Sequence, residues 1–545
     1  MVRRNDLGGD EITRRSAIAR GGAVMGTLAI GGLIQACGSG GGSSSSSGST
    51  SGGGGASASG VPSTNKYAGM TPQPGGTLRY AMPSGSPSDT MDPALGNVPA
   101  TTFYYSYALY DRLWRTNPAT YAIEPALVDT FEHNADGTVW TVKLKDVKFH
   151  DGSPLRAKDV LASVARMLDP RLASQRAGMV RSVNLGKSQA VDDKTVRFVL
   201  DRGNVTFPEA MAQFVQILPE NFDPKHPIGT GPFKFVSFTP GREARFARFA
   251  DYYLGAPHLD ELVITSYASP TAAANAIQSG EVDMANAAYE LTDVLKNASG
   301  VNLQSFLVYG YAPFRMRTDV APFDDVRVRQ AFRLIAGRQE IVDQAYLGQG
   351  AVANDLYAKQ DPDYDKTIPQ REQDLAKARA LLAAAGKSGM TIQLNTTDIV
   401  PGINAAATVF ARQAKGAGVN VQVNKLDIPT FFGPNYPQYA FCVDYRSTAS
   451  FLLSAALNDG PTSTGNLTRF RNAEFSKLYF EALGEFDDAK RQDKIHRMQR
   501  IQWDEGSYII WGFNYQLKAY RRVGGIVPDV GALPPHWAEL WLAKS

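Results

Sequence analysis

Cysteine is almost missing from this chain. Its 545 residues hold two, Cys37 and Cys442, which excludes a disulfide framework. The six histidines, His133, His150, His226, His258, His496 and His536, are scattered, and none stands at metal-ligand spacing from another. That argues against a zinc or nickel site built from local sequence. Excess charge is missing too: 56 Lys and Arg face 53 Asp and Glu, which is no nucleic-acid-binding balance. No glycine-rich phosphate loop and no nucleophile elbow occur. Nothing therefore points to ATP binding or hydrolysis, although a triad assembled from distant residues leaves no local mark. No apolar run reaches the roughly 20 residues of a membrane-spanning helix. No cofactor and no metal are expected.

What is present starts at the N-terminus. Arg3, Arg4, Arg14, Arg15 and Arg20 make a basic start, residues 21–36 are uncharged and largely apolar, and small residues lead to Cys37. That is the layout of a secretory signal peptide. Leu33-Ile34-Gln35-Ala36-Cys37 resembles a bacterial lipobox, which is cleaved before a cysteine whose thiol carries a diacylglycerol. Thr13-Arg14-Arg15-Ser16-Ala17-Ile18 resembles a twin-arginine export signal without its usual aromatic residue at Ala17, so Sec export stays open. A glycine-serine tract follows. It cannot bury apolar surface and reads as a flexible tether with a reach of roughly 30 Å. An ordinary signal peptide with a chance cysteine is the alternative, and the tether favours the lipid anchor. The expectation is a signal over 1–36, a lipidated Cys37 and tether over 37–74, and a place on the extracytoplasmic face of the cell membrane. Cys442 then has no internal partner. Losing the signal removes five arginines and three acids, Asp6, Asp10 and Glu11, and leaves the charges nearly balanced.

Order is expected from about Gly75, where "GGTLRYAMP" reads as a first strand. The rest of the chain suffices for two or three domains. Residues 138–149, "TVWTVKLKDVKF", alternate as a strand between Asp136-Gly137 and Asp151-Gly152 turns. "AKDVLASVARML" has helical spacing, with Val160, Val164 and Leu168 on one face. "KTVRFVL" is a strand. "TAAANAIQSGEVD" is a helix stopped at Gly280, "DVRVRQAFRLIAG" a helix closed by Gly337, and "DLAKARALLAAAG" a helix closed by Gly386, followed by the strand "MTIQLNTT". "AAATVFARQAKGAGVNVQVNKL" is a helix, a glycine turn and a strand. Such mixing implies an α/β protein with more than one sheet.

Five segments, in order, resemble the extracytoplasmic solute-binding proteins of ABC importers, family 5, the oligopeptide/dipeptide/nickel group. They are residues 125–170, from "PALVDTFEHNADGTVW" to "ARMLDP"; residues 227–241, "PIGTGPFKFVSFTPG"; "DYYLGAPHLDELVI" with "AIQSGEVDMA"; "APFDDVRVRQAF"; and "DLAKARALLAAAG" with "MTIQL". The resemblance implies a two-lobed periplasmic-binding-protein-like fold of class II, the large cluster C type, with an extra subdomain inserted in the first lobe. Lobe 1 is then 75–103 with 219–308 and 509–545, the subdomain 104–218, and lobe 2 309–508. The lobes close on a ligand like a hinged trap. There are departures. Arg156 stands where the family often has a helix-capping threonine, so Ser153 is expected to cap from further back. Arg317 replaces a common asparagine. Gly310 replaces a cysteine that pairs, in some oligopeptide binders, with the Cys442 position.

The resemblance also implies ligand contacts. In "YAFCVDYRSTASF", Asp444 matches the aspartate that pairs with the α-amino group of a bound peptide. The alternative is that Asp444 caps a turn or pairs with Arg446. The backbone of Ala440, Phe441 and Cys442 is expected to take an extended peptide as an added strand. Asn97 and Val98, in "MDPALGNVPA", match first-lobe positions that pair with its other side. Both segments also read as ordinary sheet edge. "YIIWGFNYQLKAY" alternates Trp511, Phe513 and Tyr515, and Tyr515 is a hinge contact unless the stripe is core. Asp361, Asp363, Asp365 and Glu372 have EF-hand spacing, but Lys366 replaces the needed glycine, so an acidic loop is favoured. The implied role is the lipid-anchored, monomeric binding component of an importer for peptides or peptide-like solutes, not an enzyme, with permease and ATPase on separate chains. The alternatives are the same role for a nickel chelate, opine, sugar or antibiotic, or an exported hydrolase or peptide-handling chaperone.

Overall fold

Strand and helix periods in the sequence emerge close to their expected places in the computed structural model, which describes residues 61–82, 85–95, 100–174, 176–447, 449–463, 465–529 and 534–544. Helix α1 spans Ala100–Leu109 and helix α2 spans Ala157–Leu168. In α2 the buried face holds Val160, Val164 and Met167, and Leu168 is only partly covered. Its N-cap is Arg156, whose side chain makes no cap. Ser153 does not supply one: its hydroxyl donates to Asp151 Oδ1 at 2.6 Å. Asp159, one turn in, accepts from the Arg156 N–H at 2.9 Å instead and satisfies the entry from the helix side.

Two glycines behave differently. Gly280 closes the helix Pro270–Ser279 in the left-handed region, φ +81°, as expected. Gly337 follows the helix Val326–Ile335 at φ −77° and caps nothing there. It is small for another reason: a Cβ would meet Gln413 Nε2 at 2.7 Å, where Gln413 clamps the Gly337 N–H at 3.0 Å.

The strands sort into two large sheets. The eight-stranded sheet runs Asn302–Tyr311, Gly512–Tyr520, Met284–Ala287, Thr77–Met82, Glu261–Ser266, Glu243–Arg248 and Phe233–Thr239, with Gly350–Val352 also on Gly512–Tyr520. The five-stranded sheet runs Asn420–Lys425, Thr391–Thr396, Phe441–Val443, Phe314–Met316 and Tyr508–Ile509. The chain crosses from the first to the second after Tyr311 and returns after Ile509. Two neighbouring crossings make a natural hinge between two lobes. A four-stranded antiparallel sheet, Val128–His133, Val139–Leu144, Thr195–Val199 and Gln189–Ala190, forms a unit beside the first lobe. Its core packs Trp114, Trp140, Phe198 and Phe207.

Residues 61–74 extend the first lobe beyond the expected start at Gly75. Val61 is fully buried, Ser305 donates its N–H to Pro62 O at 2.8 Å, and Asn65 Nδ2 donates to Val523 O at 3.1 Å. No hydrophobic period announces this segment; it is held by backbone groups of distant strands.

The second lobe centres on an aromatic cluster. Phe314 lies 5.0 Å from Phe410, and Phe332 lies 5.5 Å from Phe441, ring centre to ring centre. Beneath it Asp355, fully buried, takes Arg338 Nη2 at 2.6 Å and Arg371 Nε at 2.8 Å. Burial alone would raise the Asp355 carboxyl, but Arg338, Arg371 and Arg333 together hold it below its ordinary value.

Candidate functional site

The strand Phe441–Val443 delivers the expected site segment to the hinge. Its three side chains are completely buried, among Phe314, Phe332 and Phe410. It pairs with Phe314–Met316 on one side and with Thr391–Thr396 on the other, and the Ala440 carbonyl accepts from the Arg317 N–H at 2.9 Å. Of the expected strand-addition segment Ala440, Phe441 and Cys442, the last two pair with Phe314–Met316 on one side, and on the other side Cys442 is bridged to Asn395. Cys442 is a free, buried thiol. Arg315 donates to its sulfur from Nη2 at 2.9 Å, and burial still pushes the thiol up to about 11.

Past Val443 the backbone zips onto the outgoing hinge segment. The Asp444 N–H donates to Pro313 O, and Tyr311 and Arg446 exchange two bonds of 2.9 Å. This places Asp444, 2% exposed, where the lobes join. Its Oδ1 accepts from Tyr436 Oη at 3.0 Å, from Arg446 Nη1 at 2.9 Å and from the Tyr445 N–H at 2.8 Å. Its Oδ2 lies 2.7 Å from Arg446 Nη2 and 4.0 Å from Arg315 Nε. The internal pair with Arg446 is present, as one of the two sequence readings has it. Arg446 Nε is buried without a hydrogen-bond partner.

Tyr445, between the two, turns outward and is 39% exposed. It lies beside hinge residue Gly310, where a Cβ would approach its hydroxyl to 3.0 Å. Tyr104 on α1, in the other lobe, is within electrostatic reach of that hydroxyl. On the second crossing Trp511 and Phe513 are wholly buried and belong to the core, whereas Tyr515 is partly exposed. The Tyr515 carbonyl accepts from Tyr289 Oη at 2.6 Å.

A second junction of the lobes sits farther out. Ser450, the N-cap of the helix Phe451–Leu457, donates its N–H to Glu209 Oε1 at 2.8 Å and its hydroxyl to Glu209 Oε2. Glu209 belongs to the helix Phe207–Phe214 of the inserted unit. Burial raises it to about 7, against the pull of Ser450 and with Asp361 adding to the rise. Asp361 itself accepts from the Asp363 N–H, Asp363 faces Arg491, and Asp365 takes Arg500. These acids serve separate partners, and among the described residues no group of three or more His, Cys, Asp or Glu is arranged to hold a metal ion. A groove of about 470 Å³ between Asp459 and Ser476 lies apart from these junctions, lined wholly by the second lobe.

Asn97, Val98 and the lipidation residue Cys37 lie outside the described residues. Sequence reading missed Glu209, Tyr436 and Arg315. A lone acid in "FPEAMAQF" and the first arginine of "FRMR" carry no local signal, because their partners lie far off in the chain. Among the described residues no helix is long and apolar enough to cross a membrane.

The comparisons agree with this architecture. The chain is 27% identical over 450 residues to heme-binding protein A of Haemophilus influenzae, covering 74% of this chain and 81% of that one. The ABC transporter substrate-binding protein CtaP of Listeria monocytogenes superposes with a TM-score of 0.77 at 23% identity, covering 87% of this chain and all of that one. The oligopeptide-binding protein AppA of Bacillus subtilis, solved with a nonapeptide, superposes with a TM-score of 0.73 at 22% identity, covering 87% and 100%. The model of the bacterial extracellular solute-binding proteins, family 5, matches residues 122–453. Two sheets joined by two crossings, an inserted four-stranded unit and that match over more than half of the sequence lead to one statement: this chain belongs to the bacterial extracellular solute-binding proteins of family 5.

Proposed function

We propose that this protein is the binding component of an ABC importer, capturing peptides or peptide-like solutes between its lobes and presenting the closed form to a permease. The observation that carries the reading is the hinge itself. Asp444 and Arg446 form a buried acid–base pair at the crossing, with Tyr445 exposed beside them. A peptide end is ionic and amide-rich, and such a pair offers it both an acceptor and a free guanidinium Nε. Asp444 is the group that meets the amino end, Tyr515 contributes from the hinge strand, and Asn97 and Val98 contribute from the first lobe. Differential contact with both lobes favours closure. The role is capture without chemistry. Cys37 carries the lipid that holds the domain at the extracytoplasmic face.

Native mass spectrometry of protein purified without refolding tests the cargo, and X-ray scattering with and without short peptides tests closure. A retained or added peptide that leaves unaltered and shrinks the particle is expected. Identical profiles across all peptides, or release of a chemically changed solute, overturn the reading. Cys37→Ser is expected to move the protein from the membrane fraction to the soluble one.

A further inference from the structure

Helix α1 presents Phe103 and Tyr107, one turn apart on a shared face. A guanidinium lies over each ring. Arg176 covers Phe103 and Arg112 covers Tyr107, each 4.0 Å from guanidinium carbon to ring centre. The two arginines come from different stretches of chain, so the fold alone brings them together.

Neither forms an ion pair with a carboxylate among the described residues. Arg112 is 6% exposed, donates from Nη2 to the Gln216 side-chain oxygen at 2.8 Å, and leaves its Nε without a partner. Arg176 donates from Nη1 to Pro93 O at 3.3 Å. Asp111, next in sequence to Arg112, faces Tyr252 Oη at 3.5 Å and feels the Arg112 charge without pairing with it, and Asp529 acts on Tyr107 at longer range. Two guanidiniums carry ten N–H donors, and these bonds use two. Stacking occupies the faces of the cations and leaves their N–H edges free. Burial, and then the charge of Arg112, lower Arg176 to about 10. Arg112 is thus buried and Arg176 half-buried, the two repel each other, and neither has a carboxylate in ion-pair contact among the described residues. An oxyanion relieves all three conditions at once.

A relay of side chains leads from the pair to the outer junction of the lobes. Tyr107 is within electrostatic reach of Tyr121. Tyr121 Oη accepts from Gln213 Nε2 at 2.7 Å, Gln213 donates to Glu209 at 3.0 Å, and Glu209 holds Ser450 of the second lobe.

We propose that Arg112 and Arg176 form an oxyanion-binding subsite of the interlobe cleft, and that the captured solute carries a carboxylate or phosphate group bridging the two guanidiniums. This deepens the proposed function and rests on its assignment of the cleft. It selects acidic solutes and free-acid peptide ends over amidated or purely cationic ones.

Thermal unfolding of the full chain tests it with four probes at matched ionic strength against chloride: acetate, inorganic phosphate, trialanine and trialanine amide. Acetate or phosphate is expected to raise the melting temperature, and whichever acts more strongly names the class of anion. Trialanine is expected to bind at least about tenfold more tightly than its amide, the equivalent of about 1.4 kcal/mol. Arg112→Met and Arg176→Met are expected to abolish both effects. Where a variant unfolds, the arginine Nε–Hε resonances of the wild-type protein report the same event, shifting on anion addition at these two residues. An anion response without peptide binding keeps the subsite and removes the peptide reading. Equal binding of trialanine and its amide, or no anion response above chloride, removes the subsite and leaves the cleft reading standing.

Discussion

The second lobe buries Arg333, Arg338 and Arg371 around Asp355, whereas the inserted unit brings Arg112 and Arg176 together with no carboxylate in ion-pair contact among the described residues. Both groups are cationic; the first is buried, and in the second Arg112 is buried and Arg176 half-buried. The first is closed on itself: Asp355 takes two guanidiniums, and its other oxygen also accepts from the Ile510 N–H at 3.1 Å. Both keep donors without hydrogen-bond partners, Arg333 Nη2 and Arg338 Nε in the first and Arg112 Nε in the second. A carboxylate in ion-pair contact, present in the first and absent from the second among the described residues, separates the two. Glu209 is the mirror case, a buried acid at the lobe junction with hydrogen bonds but no cation within ion-pair distance among the described residues.

The contrast breaks most directly at Asp355. Asp355→Asn leaves three buried guanidiniums uncompensated and is expected to cost about 3–5 kcal/mol. Urea denaturation of the variant beside wild type measures it, and a loss under about 1 kcal/mol would show that the cluster is not structural.

Glu209 sharpens it through pH. It titrates at about 7 in the fold against an ordinary value of 4.5, and it faces Ser450, Gln213, Tyr121 and Asp361, none of them basic. A raised carboxyl keeps its proton in the fold after the unfolded chain has released one. Stability from this group is therefore highest below about pH 4.5 and is lost as pH rises to about 7, by roughly 3 kcal/mol in full. Glu209→Gln should remove that part of the slope in unfolding free energies measured at pH 5 and pH 7.5. An unchanged slope would assign it to other buried acids, such as Asp111 at about 7 or Asp459 at about 6.

The smallest effect is expected at the arginine pair. In ligand-free protein Arg176→Met loses a ring contact but relieves repulsion, so its stability should change by less than about 1 kcal/mol. A loss as large as that of Asp355→Asn would place Arg176 among the structural arginines and end the distinction.

Regular elements were legible because their signals are local. The α2 stretch, the strand Thr391–Thr396 and the stop at Gly280 depend on residues within a turn or two of one another. The order of segments carried the family. Failures came where a partner is distant. The neighbours of Ala440 to Cys442 were not legible, because a strand shows its alternation and not its partners; Asn395, which bridges to Cys442, lies 47 residues away. Ser153 read as a cap because Asp159 was not credited. Segment 61–74 read as tether because its bonds go to residues beyond 300.

By itself, then, the order of amino acids determined the α/β class, most helices and strands and the scarcity of cysteine, since each follows from short-range periodicity or composition, and five segments in order carried the resemblance to a two-lobed family. The tertiary structure alone decided which charges are answered. Asp444 meets Arg315 and Asp355 meets Arg338 and Arg371, while Arg112 and Arg176 are brought together without a carboxylate in ion-pair contact among the described residues. Electrostatic energy depends on distance and burial in space, and several of these pairs are separated by tens of residues along the chain.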